Sequence, residues 1–158
     1  MRIYLTNLTQ YNAGRLIGEW VELPCTKERL QDGMSKADEE YFISDSEDIP
    51  FEVGEYDDPW KLNEKLELYE ALDEHEQLCI SFLISEGYEW NYSLNHYEDV
   101  TVYAGEKLKD VAYSLVEDGC FGTMPESLSN YIDYEAIARD LGYDGYIEKT
   151  DGVFYYGE

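Results

Sequence analysis

His75 and Cys79 are the residues whose types and spacing come nearest to a metal site. They lie four positions apart, so a helix would place both side chains on one face, as in the helix of zinc proteases. Zinc requires three or four protein ligands, and no third ligand is evident in the sequence. Cys79 also fits an apolar helix face together with Phe82 and Leu83. The missing third ligand and the apolar face favour a core cysteine. We therefore expect no metal and no cofactor.

Carboxylates are the other side chains that could do chemistry, since a pair of them performs acid–base catalysis in glycosidases. The chain has 36 Asp and Glu residues, so some pair will always lie at a suitable distance. No glycine-rich phosphate loop, serine-hydrolase elbow or kinase motif is present. We therefore predict no catalytic residue and a protein that is not an enzyme.

The charge balance is the dominant feature of the composition. Against 36 acidic residues stand 11 Lys and Arg, which gives a net charge of −25 over 158 residues. Hydrophobic residues make up 44%, including 16 Tyr, so the chain can bury a core and is not an acidic disordered tail. Direct binding to nucleic acid or to an anionic membrane is not expected, because both require a basic face.

Location is predicted from the absence of targeting patterns. No apolar stretch is long enough to span a bilayer, and the first residues lack the apolar region of a signal peptide. Three dispersed cysteines, Cys25, Cys79 and Cys120, are typical of reduced thiols. We expect a cytoplasmic protein.

Sequence patterns predict an α+β fold of short strands and helices, with a strongly acidic surface. Strand patterns occur at 2–8, 16–23, 41–44, 51–53 and 100–103, and a hairpin is expected to join 146–149 to 153–156. Helices are expected after Thr26, ending at Gly33, and after Asp58, where Pro59 follows the N-cap. Further helices are predicted at 75–85, 107–117 and from Asp133 to Gly142.

Composition divides the chain into three blocks that we predict to be small domains in a row. These are an N-terminal α+β domain at 1–57, a mainly helical central domain at 58–99 and a C-terminal α+β domain at 100–158. The negative excess is spread evenly over the three blocks, whereas an enzyme concentrates its unusual charges at a site. The remainder of the central block after Lys65 contains no Lys or Arg.

Glu64, Glu67, Glu70 and Glu74 recur every three or four residues, which would place them about 5–6 Å apart on one helix surface. Like charges at this spacing destabilise a helix, so their retention indicates that the negative surface has a use. A coat of the kind found in salt-loving proteins is the competing explanation. The carboxylates predicted to bind a partner are Asp57, Asp58, Glu64, Glu67, Glu70, Glu74, Glu86, Glu89, Glu98, Asp99, Asp110, Glu117 and Asp118.

A charge of −25 matches the phosphates on about 43 Å of duplex DNA, or roughly a dozen base pairs. Carboxylates in place of phosphates could occupy the basic groove of a DNA-binding protein, where they would pair with Arg and Lys as phosphates do.

The sequence also resembles the ArdA family of antirestriction proteins, over nearly its whole length. The matching tracts, in the family's order and spacing, are 3–8, 11–12 with Gly14, 16–20, 62–63, 110–112, 125–134 and 139–141. The resemblance implies a protein of mobile genetic elements that mimics bent B-form DNA. Its implied partner is a type I restriction-modification enzyme, in which it blocks the DNA groove of the methyltransferase core.

The same resemblance implies an elongated homodimer of three-domain chains, with the third domain making the dimer contact. The family's antirestriction motif corresponds to 108–122, whose acids are Asp110, Glu117 and Asp118. Its apolar residues Val111, Leu115 and Val116 are candidates for the dimer contact, but their helical periodicity fits plain core equally well.

Two other classes of function remain open at this point. An acidic adaptor for another nucleic-acid-binding protein would use the same charge mimicry on a different partner. A small acidic cation-binding protein or enzyme would instead have a deep pocket and respond to metal.

Overall fold

A computed structural model describes residues 1–37 and 40–157. The described chain contains helices and antiparallel sheets, so the predicted α+β class is confirmed. The strands are β1 (Arg2–Asn7), β2 (Gly18–Glu22), β3 (Tyr41–Glu47), β4 (Thr101–Ala104), β5 (Tyr146–Lys149) and β6 (Gly152–Tyr155). The helices are α1 (Leu8–Asn12), α2 (Lys27–Lys36), α3 (Pro59–Glu70), α4 (Glu74–Ser85), α5 (Trp90–His96), α6 (Leu108–Glu117) and α7 (Tyr134–Tyr143). Two short 3-10 helices cover Tyr97–Asp99 and Glu126–Tyr131.

The first of two compact units spans Met1–Asp73 and is built on a three-stranded antiparallel sheet in the order β2-β1-β3. Ile3 pairs with Val21 of β2, and Leu5 pairs with Ile43 of β3. Helices α2 and α3 contribute the remaining buried residues of this core. The core includes Ile3, Leu5, Val21, Leu23, Leu30, Ile43, Leu62 and Leu66.

The second unit, Glu74–Glu158, contains an antiparallel sheet in the order β4-β6-β5. Successive strand residues point to opposite faces, so Val153 and Phe154 of β6 lie in two different cores. Phe154 stacks on Phe82 of α4, with ring centroids 4.6 Å apart. Val153 packs with α6 and α7. The sheet thus has α4 on one face and the α6–α7 pair on the other.

The division into two units differs from the three predicted domains, because their boundary falls within the block 58–99. Leu62 and Leu66 of α3 are buried in the core of the first unit, whereas Cys79 and Phe82 of α4 belong to a core of the second. Apolar burial therefore assigns the two helices of the central block to different units. The three-domain division stays a prediction.

Helix α2 extends past the predicted end, Gly33, to Lys36. A Cβ atom at Gly33 would lie 2.7 Å from Cγ2 of Val21, so this glycine lets the helix approach β2 closely and does not end it. The predicted strand at 51–53 is irregular chain whose Phe51 and Val53 pack on the first core.

Helix α5 was not predicted, and it is held by burial of Trp90 and Ser93. The predicted caps Thr26, Asp58 and Asp133 are confirmed, since each side chain accepts a hydrogen bond from the first turn of its helix. None of the described helices is long and apolar enough to cross a membrane.

Candidate partner-binding surface

All thirteen carboxylates predicted to bind a partner are exposed in the structure. Five lie in the first unit, at the start of α3 and along it: Asp57, Asp58, Glu64, Glu67 and Glu70. Eight lie in the second unit: Glu74, Glu86, Glu89, Glu98, Asp99, Asp110, Glu117 and Asp118. The thirteen therefore divide between two bodies.

In the first unit, three of these carboxylates also hold local structure. Asp57 accepts a hydrogen bond from the Gly54 N–H at 2.9 Å, and Asp58 accepts one from the Trp60 N–H at 3.0 Å. Glu67 accepts a 3.0 Å bond from the Asn63 side chain. These three acids therefore contribute to local structure, whether or not they also meet a partner.

The prediction that Glu64, Glu67, Glu70 and Glu74 lie on one helix surface is wrong for Glu74. Helix α3 ends at Glu70, and Glu74 is the first residue of α4 in the other unit. At that position its charge is favourable, because a helix N-terminus attracts anions.

In the second unit, three carboxylates have partners. Glu86 Oε1 lies 2.7 Å from Lys149 Nζ, and Asp99 Oδ2 lies 3.2 Å from His96 Nδ1. Asp110 accepts a 3.0 Å hydrogen bond from the Lys107 N–H at the N-terminus of α6.

The other predicted carboxylates form no salt bridge within 4.0 Å in the described part of the chain. They are Glu64, Glu70, Glu74, Glu89, Glu98, Glu117 and Asp118. Most Lys and Arg side chains that do form salt bridges pair with acids outside the predicted set. These cations are Arg2, Arg29, Lys36, Lys109 and Arg139. The limited positive charge thus leaves the predicted surface largely unneutralised.

Two helices, α3 and α6, end on carboxylates, which is the opposite of the arrangement that favours a helix. Glu70 is the last residue of α3, Glu117 the last residue of α6, and Asp118 the C-cap of α6. Neither helix has a basic residue in its last turn. A negative charge at the negative end of the helix dipole costs about 0.3–1 kcal/mol at low salt. These acids are therefore kept at a cost in stability.

His75 and Cys79 do lie on one face of α4, with Sγ 4.0 Å from Nδ1. Cys79 is fully buried, and its Sγ lies 3.8 Å from the Val100 carbonyl oxygen. No group of three or more candidate metal ligands occurs among the described residues. The cysteine is a core residue of the second unit.

Comparison with known families decides between the classes of function that charge alone leaves open. The model of the ArdA antirestriction protein family matches residues 3–156. The chain belongs to the ArdA antirestriction family. No curated protein matches it significantly. Members of this family are antirestriction proteins, so the exposed carboxylates belong to an inhibitor of restriction.

In this ArdA family member the three candidates for a dimer contact differ in burial. Val111 is fully buried in the core of the second unit, so it has no surface to offer and the plain-core alternative holds for it. Leu115 packs on the same core but is only half-buried. Val116 lines a surface groove with Met124 and Ile132.

Sequence reasoning missed a set of exposed apolar side chains in the second unit. It comprises Tyr113, Phe121, Met124, Leu128 and Tyr131, each at least 44% exposed. Tyr113 lies on α6. For the other four, the available signal was a run of apolar residues in a stretch broken by glycine and proline, with no helical or strand period. Large side chains that no regular element can bury are typical of an interface.

Proposed function

We propose that the chain inhibits a type I restriction-modification enzyme by mimicking B-form DNA in the groove of the methyltransferase core. Exposed carboxylates would take the positions of phosphates and pair with the Arg and Lys residues that line the groove. The observation that carries the proposal is the set of unneutralised carboxylates at helix C-termini, where they lower stability.

Membership of an antirestriction family supports an inhibitory partner, and the charge supports a basic groove as the binding site. Displacing counterions from such a groove gives the inhibitor the same salt-dependent affinity that DNA has. The acids would act together, because each exposed ion pair contributes little.

A competition assay tests this function. Fluorescent duplex is bound to a type I methyltransferase core at low salt, and the full chain is titrated in. We expect displacement that fades as salt rises. Changing Glu64, Glu67, Glu70 and Glu74 to Gln should raise the required concentration stepwise, by about twofold to fivefold for each residue.

The matched control changes four exposed acids outside the predicted set, Glu28, Glu40, Glu52 and Glu55, to Gln. It removes the same charge and should have a smaller effect. Equal effects of the two sets would show that net charge alone matters. Complete loss from one substitution, with the circular dichroism spectrum unchanged, would point to a discrete site and contradict the mimicry.

We infer that two copies pair through the exposed apolar surface of the second unit. Phe121 and Leu128 are 57% and 46% exposed, and burying them against a second copy would remove apolar area from water. Sedimentation should show a dimer that Phe121→Asp with Leu128→Asp converts to monomer. Leu68→Asp, at a residue of α3 with 53% exposure, should leave the dimer intact.

A further inference from the structure

The segment before Glu19 has no acidic residue. The chain holds 36 acids, yet residues 1–18 contain none and include Arg2 and Arg15. Arg2 is paired with Glu47 at 2.6 Å. Arg15 is exposed and forms no salt bridge within the described residues. This segment therefore differs in charge from the rest of the sequence.

The connection from α1 to β2 exposes large apolar side chains next to Arg15. Leu16 is 69% exposed, Tyr11 53% and Ile17 46%. We name Tyr11, Arg15, Leu16 and Ile17 the α1–β2 surface. Tyrosine and arginine are enriched among the residues that dominate binding energy at protein interfaces.

Backbone hydrogen bonds fix the conformation of this connection. The Arg15 N–H donates to the Gln10 carbonyl at 2.8 Å, and the Asn7 N–H donates to the Ile17 carbonyl at 2.8 Å. The Tyr11 ring packs edge-on against the Phe42 ring of β3, with centroids 5.3 Å apart. A surface held in this way loses little conformational entropy when it binds.

We propose that the α1–β2 surface docks on an apolar, carboxylate-bearing protein surface of the same target enzyme, outside its basic DNA groove. This inference rests on the proposed function. Its reason is charge complementarity: acids elsewhere on the chain suit a basic groove, whereas Arg15 beside apolar side chains suits a neutral or acidic wall. Contacts of this kind, made outside the groove, distinguish the target enzyme from other proteins that have a basic groove.

The two kinds of contact respond differently to salt. Carboxylates paired with a basic groove lose affinity steeply as salt rises, because counterions compete for the same charges. Apolar burial against a wall does not depend on salt in this way. The apolar residues of the α1–β2 surface, Leu16 and Ile17, therefore contribute a factor in affinity that persists at high salt.

Two variants test the proposal in the same duplex-competition assay, repeated from about 50 mM to about 300 mM salt. Leu16→Ser with Ile17→Ser should weaken inhibition about tenfold at every salt concentration, with the salt slope unchanged. Its control is Tyr143→Ser, which removes an exposed side chain from the last residue of α7, outside every surface proposed to bind. That control should stay within about twofold of the wild type.

Arg15→Glu separates a specific contact from net charge. Lys27→Glu changes the charge by the same amount at another exposed cation of the first unit. Lys27→Glu should bind the target as tightly as the wild type or slightly more tightly, because the added negative charge suits a basic groove. Arg15→Glu should bind about tenfold more weakly. The two substitutions thus change the charge equally, but only Arg15→Glu is expected to weaken binding.

Each outcome is decisive. The docking proposal is overturned if Arg15→Glu and the Leu16→Ser, Ile17→Ser variant both inhibit as strongly as the wild type, with circular dichroism unchanged. The proposed function would then still stand. A loss that the Leu16→Ser, Ile17→Ser variant shows only at low salt also overturns the docking proposal, since that loss would be electrostatic. If the wild-type chain fails to displace duplex at all, the proposed function is wrong and the docking surface falls with it.

Discussion

Helices α2 and α3 pack on the same core of the first unit but carry their charges in opposite ways. In α2, Lys36 lies in the last turn, 2.9 Å from Asp32, where a cation favours the helix dipole. In α3, Glu67 and Glu70 occupy the last turn and no basic residue is present there. At the other end the two helices are alike, since Thr26 and Asp58 both cap the first turn.

The charges of α2 form ion pairs that stabilise the fold, whereas most of the charges of α3 do not. Arg29 and Lys36 also contact Glu19 of β2, so the cations of α2 join helix to sheet. In α3 the Lys65 ammonium lies 5.3 Å from the centre of the Phe51 ring and forms no salt bridge with the nearby glutamates in the described chain. Apart from Asp58 and Glu67, which hold local structure, the acids of α3 are therefore better explained by a partner than by stability.

The largest expected effect is on the response of the whole chain to salt. Raising sodium chloride should screen the repulsion among 36 acids and stabilise the protein by at least about 1 kcal/mol, or about 2–4 °C in Tm. Chloride is used because sulfate strengthens apolar burial by itself. Thermal melts followed by circular dichroism provide the measurement.

The variant with Gln at 64, 67, 70 and 74 is the matched control for this melt. Its repulsion is already reduced, so its Tm should rise less with salt than that of the wild type. A wild-type Tm that does not respond to salt would mean that the carboxylates are neutralised locally, and the contrast between α2 and α3 would lose its significance.

The next effect concerns the ends of the two helices. Glu70→Gln removes an anion from the C-terminus of α3 and should stabilise the protein by about 0.3–1 kcal/mol, while Lys36→Gln at the end of α2 should destabilise it by a similar amount. Urea unfolding at low salt measures both. Two changes of the same sign would show that the helix dipole does not govern these positions.

Local patterns made much of the fold predictable, and long-range packing accounts for the rest. The caps Thr26, Asp58 and Asp133 were predicted because capping depends on a few neighbouring residues. Gly33 was misassigned because its role is close contact with Val21, which no local pattern reveals.

The sequence was enough to predict which acids are exposed, but not which unit each of them belongs to. Exposure of the thirteen acids follows from their charge, since unpaired carboxylates are rarely buried. The assignment of Glu70 and Glu74 to different units depends on which core each helix enters. The burial of Val111 against β6 likewise depends on a strand about forty residues further along the chain.

The smallest expected effect is the acid titration of Asp32. A hydrogen bond and the charge of Lys36, followed by the charge of Arg29, hold the pKa of this carboxyl below its ordinary value of 3.8. A lowered folded-state pKa adds stability above the unfolded value, and that stability is lost as pH falls through the folded-state pKa. Because Asp32 is exposed, we expect the effect in its titration and hardly at all in Tm.

Carboxyl carbon shifts in NMR spectra, recorded against pH, should place the Asp32 midpoint below 3.8. Lys36→Gln should raise that midpoint, because it removes the hydrogen bond and the nearest positive charge. Lys27→Gln, at an exposed lysine of the first turn of α2, should leave it in place. If neither substitution changes the midpoint, the charge of Asp32 is not held by its pair with Lys36. Helix α2 would then resemble α3.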